Sequence, residues 1–194
     1  MKNKSLWIIL GIVAVVLIWG VTTYNGLVSK DEKVASAWAN VETVYQRRAD
    51  LIPNLVNTVK GYAAHESKTL ADVTEARAKS TAISIDPSTA TPAEMEAWMK
   101  AQGEVSSALG RLIAISENYP ELKANQNFLE LQKQLEGTEN RISTERRKYN
   151  EEVRGYNAKI RRFPTNLIAG MFGFEKRVMF EAQEGAEVAP VVEF

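Results

Sequence analysis

Hydrophobic positions along the chain fall into three regimes. First comes an unbroken apolar run, Leu6 to Val21, reading LWIILGIVAVVLIWGV. Next, apolar residues recur at spacings of three, four and seven, the period of helices that bury one face. Beyond Phe163-Pro164 the pattern becomes a short apolar stretch broken by glycines, and then an acidic end.

The first regime predicts a membrane anchor. No charged residue falls between Lys4 and Lys30, and the 24 residues from Ser5 to Val28 make about 36 Å of helix. A bilayer core is about 30 Å thick, so the run can span it. Trp7 and Trp19 lie near its two ends, where interfacial aromatics belong. Ala35-Ser36-Ala37 resembles a signal-peptidase site. It lies beyond Lys30, Asp31, Glu32 and Lys33, so an uncleaved anchor is expected. Lys2 and Lys4 favour an inside N-terminus, and Lys30 and Lys33 oppose it. We expect a single pass through the cytoplasmic membrane, with the domain on its outer face.

The second regime predicts four long antiparallel helices. Val34, Trp38, Val41 and Tyr45 mark one face of the first, which runs on from the anchor. Leu51-Ile52-Pro53 then predicts a corner, because the residue before a proline is pushed out of the helical region. Leu55, Val59, Tyr62, Glu66, Leu70, Val73 and Arg77 carry a second helix from near Pro53 to about Ile83. Thr91-Pro92-Ala93-Glu94 has the form of a capping box with proline at the first helical position. It opens a third helix that Ser116 to Pro120 closes. In the fourth, from about Glu121 to Arg162, Phe128, Leu135, Ile142, Tyr149, Tyr156 and Phe163 fall seven apart. Leu131, Val153 and Ile160 add a second seam, and Glu139 and Arg146 share the register. The fold class is therefore all-α: a transmembrane helix followed by an elongated antiparallel four-helix bundle. We place the anchor at 1–29, the bundle at 30–163, and an apolar segment with an acidic tail at 164–194. The stretch Leu167 to Phe174 is too short to span a bilayer. It either folds back over an end of the bundle or forms an interfacial or partner-binding segment.

Composition narrows the chemistry. The net charge is zero, with no basic stripe to suggest nucleic acid. There is no cysteine, which removes disulfides, thiolate catalysis and cysteine-based metal sites. His65 is the sole histidine. His65-Glu66 opens like HExxH, but Thr69 stands where the second histidine is needed. No block for a catalytic triad, phosphate loop or dinucleotide site is present, so we expect neither enzyme nor cofactor.

The sequence resembles the LemA family over nearly its whole length. The resemblance rests on the short anchor, on Tyr24-Asn25-Gly26-Leu27-Val28, on Ala37-Trp38, and above all on Gln46-Arg47-Arg48-Ala49-Asp50-Leu51-Ile52-Pro53-Asn54-Leu55-Val56. Val59-Lys60-Gly61-Tyr62-Ala63, Tyr149-Asn150, Tyr156-Asn157, Phe163-Pro164-Thr165-Asn166 and Phe172-Gly173-Phe174 extend it. It implies a bacterial single-pass membrane protein with a helical-bundle domain. The family includes a magnetosome-associated member and offers no catalytic residue to carry over.

The candidate site is the predicted corner with Arg47, Arg48, Asp50 and Asn54. One reading is a charge network fixing the corner, answered by Glu42, Glu66 or acids of the fourth helix. The other is a docking surface held away from the bilayer. The favoured function is a non-enzymatic scaffold or interaction module, self-associating and in contact with lipid through its first helix. The alternative is an accessory subunit of a membrane protease or other membrane enzyme, with a membrane-protein partner.

Overall fold

The computed structural model describes residues 2–181, with the side chains of Lys2, Asn3 and Ser5 outside the description. The acidic end carrying Glu184, Glu187 and Glu193 lies beyond the described residues. Six helices follow one another: α1 (Lys2–Lys60), α2 (Ser67–Ala82), α3 (Pro92–Ser116), α4 (Pro120–Lys123), α5 (Gln126–Arg161) and α6 (Thr165–Met171). The described residues contain no strand, as an all-α fold requires.

The distal part of α1, with α2, α3 and α5, forms an up-down-up-down bundle. Its pairings run antiparallel. Asn125 Nδ2 donates to Tyr62 Oη at one end (2.8 Å), and Lys30 Nζ approaches Glu152 at the other (3.9 Å). The first part of α1 projects free, and Leu6 to Ile18 are exposed, at about half or more of their surface for each large apolar residue. This portion is long and apolar enough to cross a membrane.

The expected corner at Pro53 does not exist. α1 runs through Pro53 as one helix of 59 residues, about 88 Å long. A proline within a helix leaves the carbonyl four residues earlier without its donor. Here that carbonyl is Ala49 O, and Arg77 Nε of α2 donates to it at 2.7 Å. Ile52, Leu55 and Val59 are buried on either side of the proline, which rewards helical continuity. The real turn lies later, at Gly61 to Glu66, where Tyr62 N and Ala63 N both donate to Val59 O (3.0 and 2.8 Å). The second helix is correspondingly shorter, starting at Ser67 rather than near Pro53.

The other boundaries follow local chemistry. Thr91 caps α3 with the full capping box: Glu94 N donates to Thr91 Oγ1 at 3.2 Å, and Thr91 N to Glu94 Oε2 at 2.8 Å. The fourth helix begins at Gln126 rather than Glu121, because Asn125 interrupts it and caps it, accepting from Phe128 N at 3.0 Å. Phe128, Leu135, Ile142, Tyr149 and Tyr156 are all buried along its seam. Phe163 is not part of that seam. α5 ends at Arg161, the chain turns, and the Phe163 ring is 80% exposed.

The core is divided in two. A membrane-proximal cluster contains Trp38, Trp98, Tyr149, Tyr156 and Phe180. A distal cluster contains Ile52, Leu55, Val73, Leu112 and Phe128.

The support of Ala49 by Arg77 makes a reciprocal prediction. Arg77→Ala lowers unfolding stability by about 1–2 kcal/mol, because the Ala49 carbonyl loses its donor. Pro53→Ala in the same chain recovers part of that loss by supplying a helical N–H. Denaturant unfolding in detergent, followed by helical circular dichroism, measures the cycle. Equal effects of Arg77→Ala with and without Pro53 would contradict the assignment.

Candidate functional site

The four candidate residues separate into two environments. Arg48 points inward and is 2% exposed. Its Nη1 donates to Ser106 Oγ (2.8 Å) and Glu139 Oε1 (2.9 Å). Its Nη2 donates to the Gln102 carbonyl (3.1 Å) and to Gln102 Oε1 (2.6 Å). The guanidinium also lies 5.0 Å from the Tyr45 ring centroid, a cation–π distance. One cation thus binds α1 to both α3 and α5, and it sits between the two apolar clusters. Arg47, Asp50 and Asn54 lie on the outer side of α1 and are exposed. Gln46 Nε2 donates to Asp50 Oδ1 at 2.7 Å, a pairing within one helix face. Of the two readings of the charged cluster, Arg48 takes the structural one and answers to Glu139. The other three are exposed along a helix, not at a tip, among the described residues.

Beside Arg48 a cavity of about 230 Å³ opens between α1, α3 and residues 80–85. Its polar lining includes Glu42, Gln46, Ser80 and Gln102. Within it Gln102 Nε2 donates to the Ser80 carbonyl at 3.4 Å, and Gln102 Oε1 accepts from Arg48. Among the described residues no group of three His, Asp or Glu side chains is placed to hold a metal ion. His65 is exposed in the turn after α1.

A second constellation lies at the membrane-proximal end. Residues 174–180 return along α5 as a strap outside any helix. Asn157 grips it from both sides: its Nδ2 donates to the Arg177 carbonyl, and Arg177 N donates to its Oδ1, both at 2.9 Å. Asn150 repeats the grip on Phe180, both bonds at 2.8 Å. Seven helical residues rise about 10.5 Å, and three extended residues span about 10 Å. The two Tyr-Asn pairs therefore meet the strap in register only if it is extended and antiparallel to α5. Tyr149 Oη donates to the Val178 carbonyl at 3.0 Å. Phe180 enters an aromatic pocket, stacked on Trp38 (5.7 Å between centroids) and edge-on to Tyr149 (5.2 Å). Arg146 covers it at 4.9 Å. Arg177 pairs with Asp31 of α1, Nη2 to Oδ1 at 2.8 Å, and also donates to the Ser88 carbonyl. Burial pushes the Tyr149 hydroxyl up to about 12. Burial also raises Tyr45 and Tyr156, partly offset by nearby arginines.

The seven-residue register places Tyr149 and Tyr156 in the seam, and sequence reasoning singled out the two Tyr-Asn pairs. It missed that their partner is a returning strap. The signal was present in the seven-residue repeat of Tyr-Asn, which matches three residues of extended chain. Arg177 and Asp31 carried no signal, since 146 positions separate them.

Antiparallel helices carried on a helix able to cross a bilayer define a membrane-associated helical-bundle protein. The chain belongs to the LemA family, whose sequence model matches residues 37–194. It is similar to Magnetosome protein MamQ 2 of Paramagnetospirillum magneticum, 26% identical over 186 residues that cover 87% of this chain and 68% of the relative. MamQ of Magnetospirillum gryphiswaldense is 27% identical with the same coverage. Protein LemA of Metamycoplasma hominis is 26% identical over 160 residues, covering 82% of this chain and 69% of its own.

Arg48→Ala removes the guanidinium that bonds buried Gln102 and reaches Glu139 at the rim, where the carboxylate is 42% exposed, and lowers stability by about 2 kcal/mol, and Arg48→Lys, lacking the planar fork, recovers part of that. Unfolding in detergent measures both, and a change within about 0.5 kcal/mol for Arg48→Ala would refute the role. Tyr149→Phe removes the bond to Val178 and costs about 1 kcal/mol at neutral pH. The folded-state hydroxyl is raised above its ordinary value of 10.0, so its contribution is complete below that pH and is lost as pH rises towards about 12. The stability gap between wild type and Tyr149→Phe should therefore narrow from pH 10 upward. A constant gap would contradict it.

Proposed function

We propose that this protein is a non-enzymatic scaffold of the bacterial cytoplasmic membrane, anchored by one pass of α1, which self-associates through the outer face of its bundle. The observation that carries the reading is the continuity of α1. One helix joins the exposed apolar segment to Arg47, Asp50 and Asn54 without a hinge. From Lys30 to Asp50 this makes about 30 Å of stiff spacer. Such a helix presents a polar face at a fixed height and orientation above the bilayer. The Arg48, Arg177, Asn150 and Asn157 groups are engaged in holding the fold, which leaves the surface residues for recognition. Similarity to a magnetosome protein supports a role in membrane organisation. We place the domain on the outer side of the membrane, from Lys2 and Lys4 at the N-terminus. The division into anchor (1–29), bundle (30–163) and C-terminal segment (164–194) stays part of this proposal.

The expected outcome is that the full chain in mild detergent migrates as more than one copy at micromolar concentration. Arg47→Glu with Asp50→Arg should shift it to a monomer while leaving unfolding stability within about 0.5 kcal/mol. A wild-type monomer, together with crosslinking in cells to a different membrane protein, would replace self-association by the accessory-subunit reading.

A further inference from the structure

α6 is too short and too polar-flanked to be a second span, yet it carries a surface that water disfavours. Phe163 is 80% exposed, Leu167 57%, Met171 74% and Phe172 56%. These four side chains lie within ten residues of chain, while Thr165 and Ala169 on the opposite side of α6 are buried. A patch of this kind on a single small element calls for a covering surface.

Its position identifies the cover. α6 packs against α1 at the last turns of the apolar run. Ile168 Cδ1 lies 4.0 Å from where a Cβ on Gly20 would sit. The Phe172 ring is 4.8 Å from Tyr24, and the Phe174 ring 5.8 Å. Twenty residues from Leu6, about 30 Å of helix, end at Asn25. The α6 patch is thus level with the edge of the hydrocarbon core in which α1 is read to lie, and it continues the exposed apolar face of that helix. Tyr24, Phe163 and Phe172 form aromatics at that edge, joined by Trp19 on α1, as interfacial belts do. Residues 159–174 hold three basic side chains, Lys159, Arg161 and Arg162, and no acidic one. All three are exposed at the base of the bundle. A cationic rim around an apolar patch is the pattern that seats an element among anionic headgroups.

We propose that α6, with Phe163 and Phe172, is an interfacial foot that inserts into the same leaflet that α1 leaves, giving the bundle a second contact with the bilayer. The occupant of this face is lipid, and the inference rests on α1 spanning the membrane. Two contacts fix what a single helix leaves free: the tilt of the bundle and its rotation about the α1 axis. The foot is tied to α5 and to the strap, so the membrane surface also bears on the residues that the Asn150 and Asn157 clamps hold.

The chain has no cysteine, so single spin labels are unambiguous. Full-length protein carrying Met171→Cys, Leu167→Cys, Ile12→Cys or Arg47→Cys would be labelled and reconstituted in phosphatidylethanolamine–phosphatidylglycerol vesicles. Collision with oxygen and with a polar nickel chelate would then be measured. Labels at 171 and 167 should collide with nickel about tenfold less than the label at 47, with oxygen favoured, as at position 12. Nickel access equal to that at position 47 overturns the foot, provided position 12 is protected. Nickel access at position 12 itself overturns the anchor and the foot together. Dipolar broadening at 171 or 167 assigns the face to a second copy and also overturns the proposal.

Discussion

The whole bundle depends on where a single buried guanidinium can be satisfied. Arg48 is enclosed between two apolar clusters, and an unpaired charge there would cost several kcal/mol. Its partners come from α3 and α5, at positions that likewise lie between the clusters along their own helices. Gln102 stands between Trp98 and Val105, and Glu139 between Leu135 and Ile142. Sliding either helix by one turn would carry these partners about 5.4 Å away. Leucine or phenylalanine seams tolerate such slips far better than a forked cation does. The polar layer therefore sets the register that the apolar seams leave loosely defined.

The residues around it explain why one block of sequence looked like a site. Charge and proline cluster at positions 46–54 because three separate demands meet there. Arg48 needs its layer, Ala49 O needs Arg77, and Arg47, Asp50 and Asn54 face outward. Sequence spacing alone cannot separate these demands, because neighbouring residues on a helix point in different directions. Glu139 was legible in the α5 register, and an acid from that helix was a natural answer to an arginine. Which arginine it would answer depended on helix rotation.

The features legible in the sequence share a local cause. The apolar run, the Thr91–Glu94 box and the seven-residue repeat of α5 each state their structure within a few residues. Pro53 misled because its local preference was overruled by tertiary contacts: a donor 28 positions away on α2, and burial of Ile52, Leu55 and Val59. Phe163 misled because a periodic count cannot register that its helix has ended. The Tyr-Asn repeat marks the α5 side of the strap's seat, but its α1 side at Trp38 and Asp31, like the seat of α6 against Gly20 and Tyr24, comes from the opposite end of the chain and leaves no local signal. An apolar segment of this length has several possible neighbours, and only the assembled fold selects among them.

The strap has a consequence for the order in which the molecule can be completed. Trp38 is on the first helix to be synthesised, and its stacking partner Phe180 is near the end of the chain. Until that phenylalanine is available, Trp38, Trp98 and Tyr149 border an unfilled slot, and Asn150 and Asn157 have no backbone to hold. Without Phe180, Trp38, Trp98 and Tyr149 each lose an aromatic neighbour close to the base of the bundle. Residues 174–180 thus serve as a seal on the aromatic slot between α1, α3 and α5.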